Sequence, residues 1–325
     1  MRVFLAGASG ALGQSLLPLL VQGGHEVIGA TRSSDNAVVV KRCGATPVIV
    51  DLLNARDVSR AVFSVQPEAV VHEATALSGV NSYRNLDRSL RATNRLRTQG
   101  LDNLVAAAAA AGANRFIAQS FGGWPNGRTG PRILSEDAPL ETDHLPTTAE
   151  SLAAIRHVET SVPRLRDMTG VVLRYGQLCG PRTSFARDGA MVRLVQKRSL
   201  PVIGGGRGVW SFVHVDDAAT ATVAALTHGE AGIYNVVDDD PAEVATWLPL
   251  LASFLDAKRP YSIPASLGRL LAGDFVTAQM MELRGLSNQK ARQLLGWRPS
   301  YSSWRTTFRQ VLSQSSRSCN SPSYF

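Results

Sequence analysis

Gly7-Ala-Ser-Gly-Ala-Leu-Gly13 sets three glycines three residues apart. A stretch of this type is suited to holding a polyanion. Glycines let the backbone approach a pyrophosphate, and a helix starting at Ala11 would offer unpaired N–H groups at its positive end. The pattern is weak by itself. Its place between the short apolar run Arg2–Ala6 and the helically spaced Ala11–Gln22 gives it the context of a dinucleotide cradle. Gly7, Ser9, Gly10, Ala11, Leu12 and Gly13 are expected to touch the ligand. The next apolar run ends Gly29-Ala-Thr-Arg-Ser33. An acid there would hold ribose hydroxyls, whereas Arg32 suits a 2′-phosphate, with paired hydrogen bonds to its oxygens. The expected cofactor is NADP(H), with NAD as the other candidate. Asp51-Leu52 closes the third run, where a carboxylate would accept from the adenine amino group.

Two further sets of side chains bear on chemistry. Glu73 follows the apolar run Ala69–His72 directly, an unusual place for a carboxylate, and is a candidate acid or base. Arg84, Arg88, Arg91 and Arg95 recur at helical spacing on one face. The stripe would gather an anionic substrate or a partner; the alternative is a solvated face offset by Asp87. Cys43, Cys179 and Cys319 have no metal-ligand spacing, so neither a metal nor a disulfide framework is expected, and a reducing cytoplasm fits. The net charge of +8 accompanies no nucleic-acid motif and no block of five or six consecutive basic residues, which argues for small anionic ligands over nucleic acid. No apolar run reaches membrane-spanning length.

Elements that would position these groups alternate along the first half of the 325 residues. Strands are expected at Arg2–Ala6, Glu26–Ala30, Pro47–Val50, Ala69–His72, Arg115–Gln119, Val171–Tyr175 and Gly232–Val237, and helices lie between them. The alanine run Ala106–Ala111 stops at Gly112. This rhythm predicts an α/β fold: a Rossmann-type doubly wound parallel sheet with a smaller, mostly C-terminal substrate part. The division expected is 1–176 with 211–240 for the nucleotide core, and 177–210 with 241–312 for the substrate. Residues 121–148 read as a long loop, and serine-rich 313–325 as a disordered tail. Smaller helical pieces are expected at 189–196, 216–227, 242–256, 287–295 and 303–312.

Several motifs in order make the chain resemble the extended short-chain dehydrogenase/reductase superfamily, in its epimerase/dehydratase branch. They are Gly7–Gly13, Asp51-Leu52, Val70-Val-His-Glu-Ala74, Leu173-Arg-Tyr-Gly-Gln-Leu-Cys-Gly-Pro181, Phe212-Val-His-Val-Asp-Asp-Ala218, Gly232-Ile-Tyr-Asn-Val236 and Leu295-Gly-Trp-Arg-Pro299. The resemblance covers roughly residues 1–312. It implies that Ala74, Thr75, Ala76 and Gln177 also border the cofactor, and that Arg284 and Trp124 face a small-molecule substrate, with Arg88 of the stripe beside them. It also implies a Ser or Thr, a Tyr and a Lys as the catalytic set, which this chain does not supply. In Ala149-Glu-Ser-Leu-Ala-Ala-Ile-Arg-His-Val-Glu159, anchoring on Glu159 puts Ser151 at the tyrosine position and Ile155 at the lysine position. Sliding by one gives Leu152 and Arg156. The helix is expected to pack on the sheet through Leu152, Ile155 and Val158. The catalytic serine falls on Phe121 or Ser120, and Ser120 keeps a hydroxyl. Gln99 takes the family's buried Asn position.

These departures resemble an atypical branch that keeps the cofactor fold without the standard tetrad. Ser120, Ser151, Glu73 and Tyr175 are the catalytic candidates, with His157, His144 and Tyr83 as further donors. The expected activity is an NADP(H)-dependent oxidoreductase or epimerase-like enzyme acting on a small organic substrate. A non-catalytic NADP(H) sensor and a redox-neutral isomerase or cyclase remain open. Relatives' four-helix-bundle pairing makes a homodimer an expectation.

Overall fold

The structure is a computed structural model that describes residues 1–77, 83–142 and 145–313. In chain order the elements are β1 (Arg2–Ala6), α1 (Ala11–Gln22), β2 (Glu26–Thr31), α2 (Ser34–Arg42), β3 (Thr46–Ile49), α3 (Ala55–Val65), β4 (Ala69–His72), α4 (Leu86–Arg95), α5 (Leu101–Ala110), β5 (Arg115–Phe121), β6 (Ile133–Leu134), α6 (Ala149–Ser161), β7 (Thr169–Tyr175) and β8 (Gln177–Cys179). There follow α7 (Ala190–Gln196), β9 (Val202–Ile203), β10 (Val209–Trp210), β11 (Phe212–His214), α8 (Val215–Thr227), β12 (Gly232–Val236), β13 (Ala242–Glu243), α9 (Val244–Phe254), β14 (Ser262–Ile263), α10 (Ala265–Ala272), α11 (Asp274–Met281), β15 (Gly285–Leu286), α12 (Gln289–Leu294) and α13 (Trp304–Ser313).

The seven expected strands make one parallel sheet in the order β12-β7-β5-β4-β1-β2-β3. Apolar residues on both faces explain their continuous hydrophobic runs. Val3, Leu5, Val71, Ile117 and Leu173 pack under α1 and α8, while Phe4, Val70, Phe116 and Val172 pack under α3, α5 and α6. Strand order reverses between β1 and β4, so their C-terminal ends border the crevice where such sheets bind ligands.

A second core gathers Phe185, Trp210, Phe212, Trp247, Trp304 and Phe308, with Leu86 and Leu90 of α4 and Leu152 and Ile155 of α6. Of the three α6 residues expected on the sheet, only Val158 packs there. Helices α10 and α11 and the short strands β8–β11 and β13–β15 go beyond the sequence reading; their brevity leaves no periodicity to detect. The expected loop 121–148 contains β6, which pairs with β15. Glu136 also accepts from the Asn235 N–H of β12 at 2.7 Å. His144 and most of the expected tail, 314–325, lie outside the described residues. Among those described, no helix is long and apolar enough to cross a membrane, and no group of three acidic, His or Cys side chains forms a metal site.

Gly170 of β7 lies where a Cβ would come 1.8 Å from the Val162 carbonyl oxygen. That backbone cannot move aside, so Gly170→Ala should cost about 1–3 kcal/mol, read as a lower urea midpoint at an unchanged slope.

Candidate active site

The glycine loop follows β1. Gly7 has φ +88°, and a Cβ there would meet the Ala74 nitrogen at 2.6 Å. One on Gly13 would meet the Ala8 and Gly7 oxygens at 2.5 Å. Both glycines are therefore required by close backbone approach. Gly10 caps α1 with no side chain satisfying the helix's first N–H groups, which leaves them for an anion. Ser9 lies 3.4 Å from the Thr31 hydroxyl, tying the loop to the end of β2. Ala74, Thr75 and Ala76 run alongside as β4 ends, with the Ala76 N–H bonded to Thr93. These residues fit a nicotinamide dinucleotide: a cradle that any Cβ would fill, beside an uncapped helix start.

At the far end, Arg32 is exposed directly after β2, with no hydrogen-bond or ion-pair partner among the described residues. Asp51 accepts from the Leu53 N–H at 3.0 Å, which turns the chain and leaves its second oxygen outward; Leu52 is buried.

Gln99 does not occupy a buried amide position. It is exposed and bonds the Leu53 carbonyl at 2.7 Å. A buried amide nearby is Asn94, which donates to Ser151 Oγ at 3.0 Å and keeps a buried Oδ1 without a partner among the described residues. Asp87, Leu90 and Asn94 share the inward face of α4, so the heptad spacing around Leu90 was the available signal. After Arg95 the helix opens into a π-turn over Leu96–Gly100 before α5, a local widening common at functional sites. His72 fastens that turn through a 3.0 Å bond to the Leu96 carbonyl, and burial pushes its pKa down to about 4, so the imidazole is neutral.

Helix α6 starts on Asp87, whose carboxylate accepts the N–H groups of Glu150 and Ser151 at 3.0 and 2.8 Å. Asp87 is therefore a buried cap and does not offset the arginine stripe. Arg88, Arg91 and Arg95 are exposed. Ser151 and Ile155 are both fully buried.

The remaining candidates are engaged elsewhere. Ser120 does not present a free hydroxyl to a substrate: it donates to Glu159 Oε1 at 2.7 Å. Ser120 lies at the C-terminal end of β5, and strand alternation turns Phe121 to the opposite face. Glu159 is clamped by Arg174, with Nε to Oε1 at 2.7 Å and Nη2 to Oε2 at 2.6 Å. Tyr175 bonds Glu73 at 3.0 Å and Thr222 at 2.7 Å. Burial raises the Tyr175 pKa well above its ordinary value, and the adjacent Glu73 raises it further, so it is a poor proton donor. His157 pairs with Asp102 at 2.7 Å on the outer side of α6, and Tyr83 is exposed.

Trp124 packs edge-on to Phe275 at 5.6 Å between centroids and lines a narrow crevice with Arg128, Thr148 and Leu283. Arg128 is held between Glu141 and Glu282. Arg284 donates from Nε to the Arg128 carbonyl at 3.0 Å, and its terminal nitrogens have no partner among the described residues. Gln177 sits in β8, its N–H on the Ser211 carbonyl.

Residues 3–237 match the family described as NAD dependent epimerase/dehydratase family. A Streptomyces 3-diazoavenalumate denitrifying reductase is 42% identical over 94% of this chain and 98% of its own. A UDP-glucose 4-epimerase of Mycolicibacterium smegmatis is 25% identical over 92% of this chain and 94% of its own. Among solved structures, the UDP-glucose 4-epimerase of Thermus thermophilus in complex with NAD superposes with a TM-score of 0.73 at 25% identity, covering 96% of this chain and 98% of that one.

Glu159→Ala would leave Arg174 buried and unpaired, and should cost about 3–5 kcal/mol in chemical denaturation. Ser120→Ala, which leaves the ion pair in place, should cost less, about 1.5–3 kcal/mol.

Proposed function

The chain belongs to the NAD-dependent epimerase/dehydratase family, and from that premise we propose that it is an NADPH-dependent reductase that works without the Tyr–Lys pair and removes a diazo group from an anionic aromatic acid. One observation carries this reading. The two positions of α6 where the resemblance calls for the tyrosine and lysine hold Ser151 and Ile155, both sealed from solvent. The ionisable side chain buried on that helix, Glu159, is bound to Arg174 and takes neither place.

Reduction of a carbonyl produces an alkoxide that must be protonated, which is the work of the missing tyrosine. When bound, the reduced nicotinamide supplies a hydride, and at a diazonium-bearing carbon that hydride would replace nitrogen, with C–H formed, C–N broken and N2 released. No oxygen gains a proton in that exchange, so no acid is required. The name of the relative that is 42% identical, a denitrifying reductase of a diazo compound, supports the same class.

This chain's residues then have binding and orienting roles. Gly7, Gly10 and Gly13 would admit the pyrophosphate to the start of α1. Arg32 would hold the 2′-phosphate of NADPH, and Asp51 the adenine edge. Trp124 would provide an aromatic wall, and the free nitrogens of Arg284 a bidentate grip on the substrate carboxylate. The excess of positive charge favours approach of such an anion.

With an aryl diazonium carboxylate, oxidation of NADPH should match N2 release mole for mole. Turnover of ketones or secondary alcohols with no loss of the diazo group would overturn the assignment. Arg32→Ala should weaken NADPH roughly ten- to hundredfold by titration while barely changing NADH, as loss of charge-assisted hydrogen bonds requires. Equal losses for both would refute the phosphate role.

A further inference from the structure

Three oxygen–oxygen contacts line up behind the cofactor loop. Glu73 Oε1 is 3.0 Å from the Tyr175 hydroxyl, that hydroxyl is 2.7 Å from Thr222 Oγ1, and Thr222 Oγ1 is 2.8 Å from the Ala218 carbonyl oxygen. Each contact needs a proton between its oxygens. Tyr175 and Thr222 carry one each, and the carbonyl carries none. Two protons cannot make three hydrogen bonds. If Tyr175 donated to an ionised Glu73, Thr222 would have to choose between Tyr175 and Ala218, and one pair of lone pairs would face each other inside the protein. The second oxygen, Glu73 Oε2, is also buried and has no partner among the described residues. A carboxylate held there would keep a single hydrogen bond for a full charge, which costs far more than a neutral acid.

We propose that Glu73 is held as an un-ionised carboxylic acid whose proton starts a directed chain, Glu73 to Tyr175 to Thr222 to Ala218, and that it positions the cofactor loop and does not exchange protons with substrate. The chain joins the ends of β4 and β7 to α8. The Glu73 backbone is bonded to the Ala6 carbonyl at 2.9 Å and accepts from Gln119 at 2.9 Å, and the next residue, Ala74, is the surface on which Gly7 rests. The groups facing the carboxyl from the neighbouring elements are Tyr175 on β7 and Thr222 on α8, with Gln119 on β5 held to the Glu73 backbone carbonyl; among them only Tyr175 titrates. Burial pushes the Glu73 pKa up to about 8, with a smaller opposing effect from the Tyr175 bond.

The inference about protonation is independent of the substrate assignment and is tested on the ligand-free protein. Difference infrared spectra at neutral pH should show the carbonyl stretch of a protonated carboxylic acid that Glu73→Gln removes. Glu136 and Asp238 are also raised by burial, so the difference against this variant is what isolates Glu73. In Thr222→Val the Tyr175 proton is released to the carboxylate, and the acid band should disappear at lower pH. Stability gives a second readout. Unfolded, the carboxyl releases its proton near its ordinary 4.5, and folded near about 8. Between these the unfolded chain binds fewer protons, so Glu73's contribution is full below 4.5 and declines as pH rises to about 8. Tm should therefore fall more steeply with pH in the parent than in Glu73→Gln. For positioning, Glu73→Leu should weaken NADPH several-fold and Glu73→Gln should restore it. No acid band lost in Glu73→Gln, or parallel Tm–pH curves, would overturn the protonation; equal NADPH affinity in all three proteins would overturn the positioning role.

Discussion

A carboxylate buried between a helix and a sheet has to be matched in place, and Glu159 is matched twice. The Arg174 guanidinium forks onto both its oxygens, and the Ser120 hydroxyl adds a third contact. Those residues belong to α6, β7 and β5, so one ionic group holds three elements of the nucleotide half together. Arg174 also donates to the Glu136 carbonyl at 3.3 Å, and Glu136 in turn reaches β12. Arg97 in the π-turn lies within electrostatic reach of Glu159, and burial lowers its own pKa to about 10. Removing a member leaves a charge in low dielectric, which is why such networks fix a unique arrangement when complete.

That constraint separates the two ends of α6. Its C-terminal half is locked to the sheet by Glu159 and Val158. Its N-terminal half is held by Asp87 and packs through Leu152 and Ile155 into the core shared with Trp124, Leu86 and Leu90. Where the resemblance calls for a proton donor and a cation, the helix contributes packing. The cofactor cradle, by comparison, retains its glycines, its uncapped helix and its close backbone approaches. A site that keeps hydride-carrier geometry and omits acid chemistry suits a leaving group that needs no proton, as the diazo reading requires.

Legibility in the sequence varied with the range of the interaction concerned. The glycine loop, the free Arg32 and the seven strands depend on contacts between neighbours in sequence or on continuous apolar runs, and were read to within a few residues. Gln99 was misplaced because the role of an amide depends on the direction its side chain takes. A shift of one residue on a strand, or of five on a helix interrupted by a π-turn, reverses that direction. Asn94 was missed because the resemblance put the amide at Gln99, and nothing in the local sequence marks the π-turn between the two.

Residue order alone was enough for the fold class, the cofactor loop and the absence of tyrosine and lysine from α6. These follow from residue type and local spacing. Only the tertiary structure decided what the other polar groups do: that Asp87 caps α6, that Asn94 reaches Ser151, that Ser120 serves Glu159, and that Glu73 shares a chain of protons with Tyr175 and Thr222. Each joins residues distant in sequence, and a polar group's state depends on its partners and its burial, neither of which is written in the order of residues.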